Sequence, residues 1–259
     1  MNLKDKVVVI TGASSGIGKE VSKMLAQKGT KLALLSRRLP EMEQLVKDYR
    51  ALNTEAIAIK TDVTSAGDIK HAVEETMKKF GKIDIVINCA GIGNYSPLET
   101  LDMKTFEHML RVNIFGPLYM IQETVKFLKV SKGMIVNISS GLSKRALPFL
   151  SAYGSTKAML NMLSDGLRME LMSSGVQVLT YNPPATDTPF IALSNRGSMK
   201  LAKVEDVAAR IVQSMEQEKR EVSASGFLAV MNFFAPKVLD SMFYRNMVKR
   251  AEDNKQIIR

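Results

Sequence analysis

Six short apolar runs recur along the chain, and longer segments of mixed polarity separate them. The runs cover residues 7–10, 32–35, 56–59, 83–87, 134–138 and 176–181. Near-continuous runs of this length, rich in β-branched side chains, are typical of strands buried on both faces of a parallel sheet. The pattern therefore predicts six strands in the interior of the protein.

The segments between these runs place apolar residues at helical spacing, with residues 18–28, 40–52 and 66–80 as examples. Gly81 directly follows the last of them, where a glycine commonly ends a helix. Because strands and helices alternate, we expect an α/β fold with a doubly wound, mostly parallel sheet. No linker rich in Pro, Gly or Ser interrupts the pattern, so we expect one domain over residues 1–226 and an apolar, basic tail over 227–259.

The composition is that of a folded protein, because 46% of the residues are apolar and 24% are charged. A single cysteine, Cys89, excludes a disulfide framework, and two histidines, His71 and His108, are too few for a multi-histidine metal site. We expect no metal, and we interpret Cys89 as a small buried side chain rather than a reactive thiol. No apolar stretch reaches the ~18 residues of a membrane span and no secretion signal is recognisable, so we expect a cytoplasmic protein.

The net charge of +10 is the unusual number of this sequence. Solubility, an anionic cofactor, nucleic acid or an anionic membrane surface would each account for it. Nucleic acid is the weakest explanation, because aromatic residues make up only 6% of the chain, tryptophan is absent and the basic residues are spread along the sequence. We therefore expect no nucleic-acid partner.

The first run leads into the sequence Thr-Gly-Ala-Ser-Ser-Gly-Ile-Gly over residues 11–18, and a helical pattern follows. In a turn of this kind Gly12 permits a tight bend, Gly16 lets the backbone approach a pyrophosphate, and Gly18 lets the helix pack closely on the strand. The free N–H groups and the dipole of the helix N-terminus then favour the phosphates. The candidate cofactor-binding residues of this turn are Gly12, Ser14, Ser15, Gly16, Ile17 and Gly18.

The second run ends at Ser36, and two arginines follow it. Proteins that prefer NAD usually carry an acidic residue here, which binds the ribose 2′-hydroxyl and would repel a 2′-phosphate. We expect Arg37 to pair with the 2′-phosphate and Arg38 to stack on the adenine or add positive charge. The sequence therefore predicts NADP(H) as the cofactor.

Further motifs follow in a fixed order along the chain. They are Asp62-Val63, Asn88-Cys89-Ala90-Gly91, Asn113, Ser139-Ser140 and Tyr153-Gly154-Ser155-Thr156-Lys157. Together with the glycine spacing of residues 11–18, they resemble the short-chain dehydrogenase/reductase family over residues 6 to about 190. The resemblance implies a Rossmann-type sheet of seven strands, an NAD(P) cofactor, a small-molecule carbonyl substrate, alcohol–carbonyl redox chemistry and a homo-oligomer.

Tyr153 and Lys157 lie four residues apart and so share one face of a helix. A tyrosine gives up its proton readily only when a nearby cation stabilises the phenolate, so we expect Lys157 to lower the pKa of Tyr153. The resemblance implies that Tyr153 is the proton donor and that Lys157 also binds the nicotinamide ribose. It further implies that Ser140, in preference to Ser139, polarises the carbonyl, and that Asn113 holds a water of a proton relay.

The resemblance assigns further cofactor contacts to loops that follow the strands. The residues concerned are Asp62 and Val63 at the adenine, Asn88, Ala90 and Gly91 beside the cofactor, and Pro183, Thr186 and Thr188 at the nicotinamide. For Asn88, a mainly structural role that ties neighbouring strands together remains an equal alternative. Pro184 stands where the family usually has glycine, so the loop must take a stiffer path.

The loop over residues 183–189, Pro-Pro-Ala-Thr-Asp-Thr-Pro, and the tail from residue 227 loosely resemble those of 3-ketodihydrosphingosine reductases. This similarity implies a hydrophobic or long-chain ketone such as a 3-keto lipid. A 3-oxoacyl thioester or another small ketone remains an alternative substrate. A cofactor-binding regulator without turnover is the alternative outside the enzymes, and the intact set of Asn113, Ser140, Tyr153 and Lys157 argues against it.

The tail over residues 227–259 interleaves an apolar stripe with basic residues. Three interpretations of this tail are open. It packs on its own domain or on a second subunit, it covers a hydrophobic substrate pocket, or it lies in a membrane interface as a peripheral contact.

Overall fold

The computed structural model describes residues 1–190, 201–223 and 236–243. Seven strands form a single sheet in the order β3-β2-β1-β4-β5-β6-β7, and every neighbouring pair is parallel. The strands are β1 Val7–Thr11, β2 Lys31–Ser36, β3 Ala56–Lys60, β4 Ile85–Asn88, β5 Met134–Ile138, β6 Gln177–Asn182 and β7 Glu221–Ser223. The predicted doubly wound parallel sheet is therefore confirmed.

Helices cover both faces of this sheet. They are α1 Gly16–Gln27, α2 Leu39–Arg50, α3 Ala66–Phe80, α4 Met103–Leu110, α5 Gly116–Ser131, α6 Ser151–Glu170, α7 Val204–Glu216 and α8 Pro236–Phe243. Short 3-10 turns lie at Leu98–Thr100, Gly141–Ser143 and Met172–Ser174, and a π-helical turn at Arg111–Phe115 joins α4 to α5.

Successive residues of the central strands face opposite sides of the sheet, and each side has its own buried core. Val8 and Ile10 belong to the cluster that packs against α1, α2 and α7, whereas Val9 belongs to the cluster against α3 and α5. All three side chains are fully buried. Burial on both faces explains why the strands are continuously apolar rather than alternating.

Helix α3 has the predicted bounds because both of its ends carry local stop signals. The Ser65 hydroxyl accepts a hydrogen bond from the Asp68 N–H at the N-terminus, and Gly81 ends the helix in the left-handed conformation with φ 73°. The other two predicted helices differ slightly from the structure. Helix α1 begins at Gly16, two residues before the expected start, and α2 ends at Arg50 rather than at residue 52.

Strand β7 has no counterpart among the six apolar runs. It is only three residues long, and Val222 is its single apolar side chain, so it carries no hydrophobic signal. It is held by backbone pairing with the end of β6, where Tyr181 faces Val222. The seventh strand was expected only from the family resemblance.

The tail is described only at α8, and the rest of residues 227–259 lies outside the described residues. Arg145, in the loop after β5, forms an ion pair with Asp240 of α8. In the described parts of the chain, no helix is both long and apolar enough to cross a membrane.

Candidate active site

A cavity of about 700 Å³ lies where the loops leave the carboxyl ends of the strands. Its lining includes residues of the turn over 12–18 together with Ser140 and Tyr153. β1 lies between β2 and β4, so the chain order reverses here, as at the ligand-binding crevice of open α/β sheets. All the predicted site residues line this cavity except Asn88 and Asn113.

The glycines of the turn after β1 occupy positions that exclude a side chain. A Cβ on Gly12, which has φ 69°, would lie 2.9 Å from the Ala90 Cα, and a Cβ on Gly18 would lie 2.5 Å from the Gly12 carbonyl oxygen. Ser15 caps α1 with no side-chain hydrogen bond to the first turn. The N–H groups of that turn therefore remain available to an anion, and the cradle fits a pyrophosphate.

Arg38 lies across this turn. Its guanidinium donates hydrogen bonds to the hydroxyls of Ser14 and Ser15 at 2.9 and 2.6 Å. The Ser14 and Ser36 hydroxyls are 2.7 Å apart and join the end of β2 to the same cluster. Arg37 and Arg38 both line the cavity, so two positive charges directly follow Ser36, which occupies the position where an acidic residue would favour NAD.

The loop after β3 lines the cavity through Asp62 and Val63. The Asp62 carboxylate accepts hydrogen bonds from the N–H and the hydroxyl of Thr64, at 2.9 and 2.8 Å. Val63 packs on Gly116, where an added Cβ would lie 3.0 Å from the Val63 Cβ. Both residues are thereby fixed at the end of the cavity expected for adenine.

Asn88 does not line the cavity, because its side chain turns into the sheet. Its amide donates a 2.8 Å hydrogen bond to the Asn137 side chain on the neighbouring strand β5. This bond fits the alternative in which Asn88 mainly ties neighbouring strands together. Ala90 and Gly91 do line the cavity, and the Thr11 hydroxyl holds the loop by accepting from the Ala90 N–H at 3.2 Å. Burial raises the pKa of the Cys89 thiol to about 12, so this thiol is protonated at neutral pH.

Tyr153 lies in the first turn of α6 and is 7% exposed. Burial raises the pKa of its phenol to about 12, although a hydrogen bond with Ser140 acts in the opposite direction. Ser140 itself is fixed at the start of a 3-10 turn, where its hydroxyl accepts from the Leu142 N–H at 3.2 Å. The structure thus joins the two residues that the sequence places thirteen positions apart.

The expected lowering of the Tyr153 pKa is not seen overall in this structure, because burial outweighs the other influences on this phenol. Lys157 Nζ donates a 2.9 Å hydrogen bond to the Ile138 carbonyl and lies 6.0 Å from the centre of the Tyr153 ring. Burial also lowers the pKa of Lys157 to about 8. The Lys157 ammonium is therefore held near the Tyr153 ring by the Ile138 carbonyl and is not bonded to the tyrosine hydroxyl.

Asn113 lies in the π-helical turn rather than in a regular helix, and it is fully buried. Its amide donates to the Ile92 carbonyl and to the Thr156 hydroxyl, both at 2.9 Å, and its oxygen accepts from the Ile92 N–H. Both amide N–H groups are thus used within the protein. A Cβ on Gly91 would lie 3.4 Å from the Asn113 oxygen and 3.5 Å from Lys157 Nζ, so the two side chains meet at Gly91.

A polar network that sequence analysis missed supports the loop of Ser140. The Ser143 hydroxyl donates to the Ser140 carbonyl at 2.6 Å and lies 2.9 Å from the Asn182 side-chain oxygen. Asn161 on α6 donates to both Ser143 and Asn182, and Asn182 donates to Glu221 on β7. Asn and Ser are common residue types in loops and helices, so no local pattern distinguishes these three in advance.

The loop after β6 also lines the cavity. Gly141 donates to the Pro183 carbonyl at 2.9 Å, and the Thr186 hydroxyl donates to the Pro184 carbonyl at 2.8 Å. Thr188 lies against the phosphate turn, since a Cβ on Gly16 would be 3.2 Å from its methyl group. The predicted residues of this loop therefore line the cavity, as does Pro184.

The remaining wall of the cavity is mainly apolar and was not predicted. It includes Ile92, Tyr95, Leu142, Leu147, Leu150 and Phe190. The Phe190 ring packs on the Tyr153 ring with the centres 5.3 Å apart, and the Tyr95 and Phe149 rings lie 5.2 Å apart. Arg145, the partner of Asp240 on α8, is the cation of this wall. These residues come from three loops whose apolar side chains follow no strand or helix period.

Two protein sequences illustrate the similarity of this chain to known proteins. An uncharacterized oxidoreductase of Staphylococcus epidermidis is 33% identical over 216 residues, which cover 83% of this chain and 93% of that protein. An uncharacterized oxidoreductase of Listeria monocytogenes is 39% identical over 194 residues, which cover 74% of this chain and 78% of that protein.

Solved structures show the same fold with a nicotinamide cofactor. An alcohol dehydrogenase from the archaeon Thermococcus sibiricus, complexed with 5-hydroxy-NADP, has a TM-score of 0.77 and 28% identity over 85% of this chain and 94% of that one. A 3-ketoacyl-(acyl-carrier-protein) reductase from Brucella melitensis, complexed with NADH, has a TM-score of 0.80 and 27% identity over 86% of this chain and 98% of that one. The family model for short chain dehydrogenases matches residues 6–198. The chain therefore belongs to the short-chain dehydrogenase family and is an NAD(P)-dependent oxidoreductase.

Proposed function

We propose that the protein reduces a ketone to a secondary alcohol with NADPH and that its substrate is hydrophobic or long-chain, such as a 3-keto lipid. The observation that carries this proposal is that Ser140 and Tyr153 line the same cavity as the phosphate-binding turn. A phenol and a hydroxyl side by side can both donate to one carbonyl oxygen.

Tyr153 is the proton donor of this reaction. With a pKa of about 12 it is fully protonated at neutral pH, as the donor in the reductive direction must be. The Ser140 hydroxyl donates to the substrate carbonyl and makes its carbon more electrophilic. When bound, the nicotinamide supplies the hydride that adds to this carbon.

Lys157 and Asn113 return the proton that Tyr153 gives up. The buried Lys157 ammonium stabilises the phenolate by its charge, and with a pKa of about 8 it can pass on a proton near neutral pH. Asn113 lies close to Gly91, as Lys157 does, and, as the resemblance implies, holds a water that links Lys157 to solvent. Lys157 is also assigned to the nicotinamide ribose, and Pro183, Thr186 and Thr188 to the nicotinamide.

The preference for NADPH rests on Arg37 and Arg38. Ser36 ends β2 where NAD-preferring proteins place an acid, and the two guanidinium groups that follow carry the charge to pair with a 2′-phosphate. We expect kcat/KM to be higher with NADPH than with NADH, and Arg37→Asp to lower or reverse this ratio. Arg50→Asp at the far end of α2 is the matched control and should leave the ratio unchanged. A higher kcat/KM with NADH for the unaltered protein would overturn the assignment.

The apolar wall of the cavity supports a hydrophobic substrate, although it does not select one. A 3-oxoacyl thioester is the second candidate, because the Brucella melitensis structure that this chain resembles is a 3-ketoacyl-(acyl-carrier-protein) reductase. NADPH consumption with a long-chain 3-keto amine, a 3-oxoacyl thioester and a simple ketone would separate the candidates. A preference for the simple ketone by more than tenfold in kcat/KM would exclude both long-chain proposals.

We also propose a homo-oligomer that covers exposed apolar side chains of α6. Met162 is 73% exposed, Met169 65% and Met159 46%. Such a helix face is usually covered by a partner. Light scattering after gel filtration tests this proposal, and a monomer at micromolar concentration would refute it.

A further inference from the structure

Phe190 and Gly93 form a contact beside Tyr153 that none of the assigned roles explains. The Phe190 and Tyr153 ring centres are 5.3 Å apart, and their planes are inclined by 49°. A Cβ on Gly93 would lie 2.8 Å from the Phe190 Cζ and 3.4 Å from the Tyr153 Cδ2. The two rings therefore meet directly above the backbone of Gly93, and any side chain at that position would displace the Phe190 ring.

This contact lies where a substituent of the substrate must go. A ketone that accepts hydrogen bonds from Tyr153 and Ser140 holds its carbonyl oxygen at the two hydroxyls, and one of its substituents must then lie along the Tyr153 ring. The Phe190 ring already packs against that ring, and both residues line the cavity. Substituent and ring therefore compete for the same space.

We propose that Phe190 limits the size of the substituent that the protein accepts next to the reacting carbonyl. Gly93, which has no side chain, leaves the space in which the Phe190 ring packs. This specificity role rests on the proposed ketone reduction and adds a substrate class to it. Ketones with one small substituent react with the Phe190 ring in place, whereas ketones with two bulky substituents must displace it.

The Phe190 side chain is free to act in this way because the fold does not depend on it. Its surface is 36% exposed, and among the described residues it belongs to none of the three buried apolar clusters. A smaller side chain should therefore change the cavity and leave the stability of the protein largely intact.

The first test compares Phe190→Ala and Phe190→Leu with the unaltered protein on butanone and benzophenone, with NADPH consumption as the readout. We expect Phe190→Ala to raise the ratio of kcat/KM for benzophenone to that for butanone by about tenfold, the size of effect that a change of pocket volume produces. Phe190→Leu should fall between the two. An unchanged ratio in both variants would overturn the proposal.

The second test uses Gly93→Ala, whose methyl group should push the ring away. We expect a changed selectivity ratio in the unaltered background and a clearly smaller effect of the same substitution when Phe190→Ala is present, since the two residues are in contact. Gly166→Ala on α6 is the matched control, because a Cβ there meets no atom within 4 Å in the described structure. Additive effects of Gly93→Ala and Phe190→Ala would contradict the proposal.

A binding experiment separates this proposal from the proposed function itself. The chain contains no tryptophan, so Phe190→Trp introduces a single indole at the contact with Tyr153. We expect a saturable change in its emission when butanone, which has one small substituent, is added in the presence of NADP⁺, and no saturable change would overturn the proposal. A saturable change without turnover of any ketone by the unaltered protein would retain Phe190 as a binding determinant and refute ketone reduction alone.

Discussion

Gly18→Ala tests the close approach of α1 to the turn that we assign to the cofactor phosphates. An alanine in a helix is normally more stable than glycine by about 1 kcal/mol. At Gly18, however, the added Cβ would lie 2.5 Å from the Gly12 carbonyl oxygen, well inside ordinary contact distance. Forcing atoms into such a contact costs about 1–3 kcal/mol and moves the backbone that it strikes. We therefore expect a net loss of stability and a weaker affinity for NADP(H).

The matched variant is Gly166→Ala, which lies in α6 with no atom within 4 Å of its Cβ in the described structure and should gain the helix propensity. The gain in helix propensity is common to both variants, so they should differ by the contact cost of about 1–3 kcal/mol in the free energy of unfolding. For a chain of this size that is roughly 2–12 °C in melting temperature. Calorimetry gives the melting temperatures, and titration with NADPH gives the affinities. Equal stability and equal affinity of the two variants would refute the packing argument.

Two further substitutions test other parts of the structure. Asn161→Ala removes the donor that fixes Ser143 and Asn182 beneath Ser140, so kcat should fall about tenfold with little change in KM, as steady-state kinetics will show. Asp84→Asn should destabilise the protein by about 1–3 kcal/mol at pH 7, measured by urea unfolding. Burial alone would raise the pKa of Asp84, but hydrogen bonds from the Val7 N–H and from two lysines lower it overall. Its stabilisation is therefore complete above the ordinary carboxyl pKa and is lost as the pH falls towards the lowered value, so the difference between variant and unaltered protein should shrink in acid.

The sequence predicts those elements whose signals are local. Residues 66–80 carry helical spacing and a capping glycine, and the structure has a helix with these bounds. Strand β7 carries one apolar side chain and depends on pairing with β6, so its position is a property of the assembled sheet. The π-helical turn contains Asn113, whose side chain bonds to Ile92 and to Thr156 of α6, and no spacing rule encodes these contacts.

The candidate site likewise contains some residues that local sequence signals identify and others that only the folded structure brings together. Glycine spacing and the Tyr153–Lys157 interval identify residues that the structure places around one cavity. The pKa of Tyr153 could not be predicted, because it depends on how completely the folded chain excludes water from the phenol. Phe190 could not be found either, since its contact with Gly93 joins loops that are almost a hundred residues apart.

The most direct test of the account is the ketone reductase activity of Tyr153→Phe, measured beside its affinity for NADPH. The substitution removes only the hydroxyl that we assign as proton donor and leaves the ring that packs on Phe190. We expect kcat to fall by about 10²–10⁴-fold, the usual contribution of a positioned acid, with the affinity for NADPH nearly unchanged. A variant that binds NADPH normally and retains most of its ketone reductase activity would contradict the central claim.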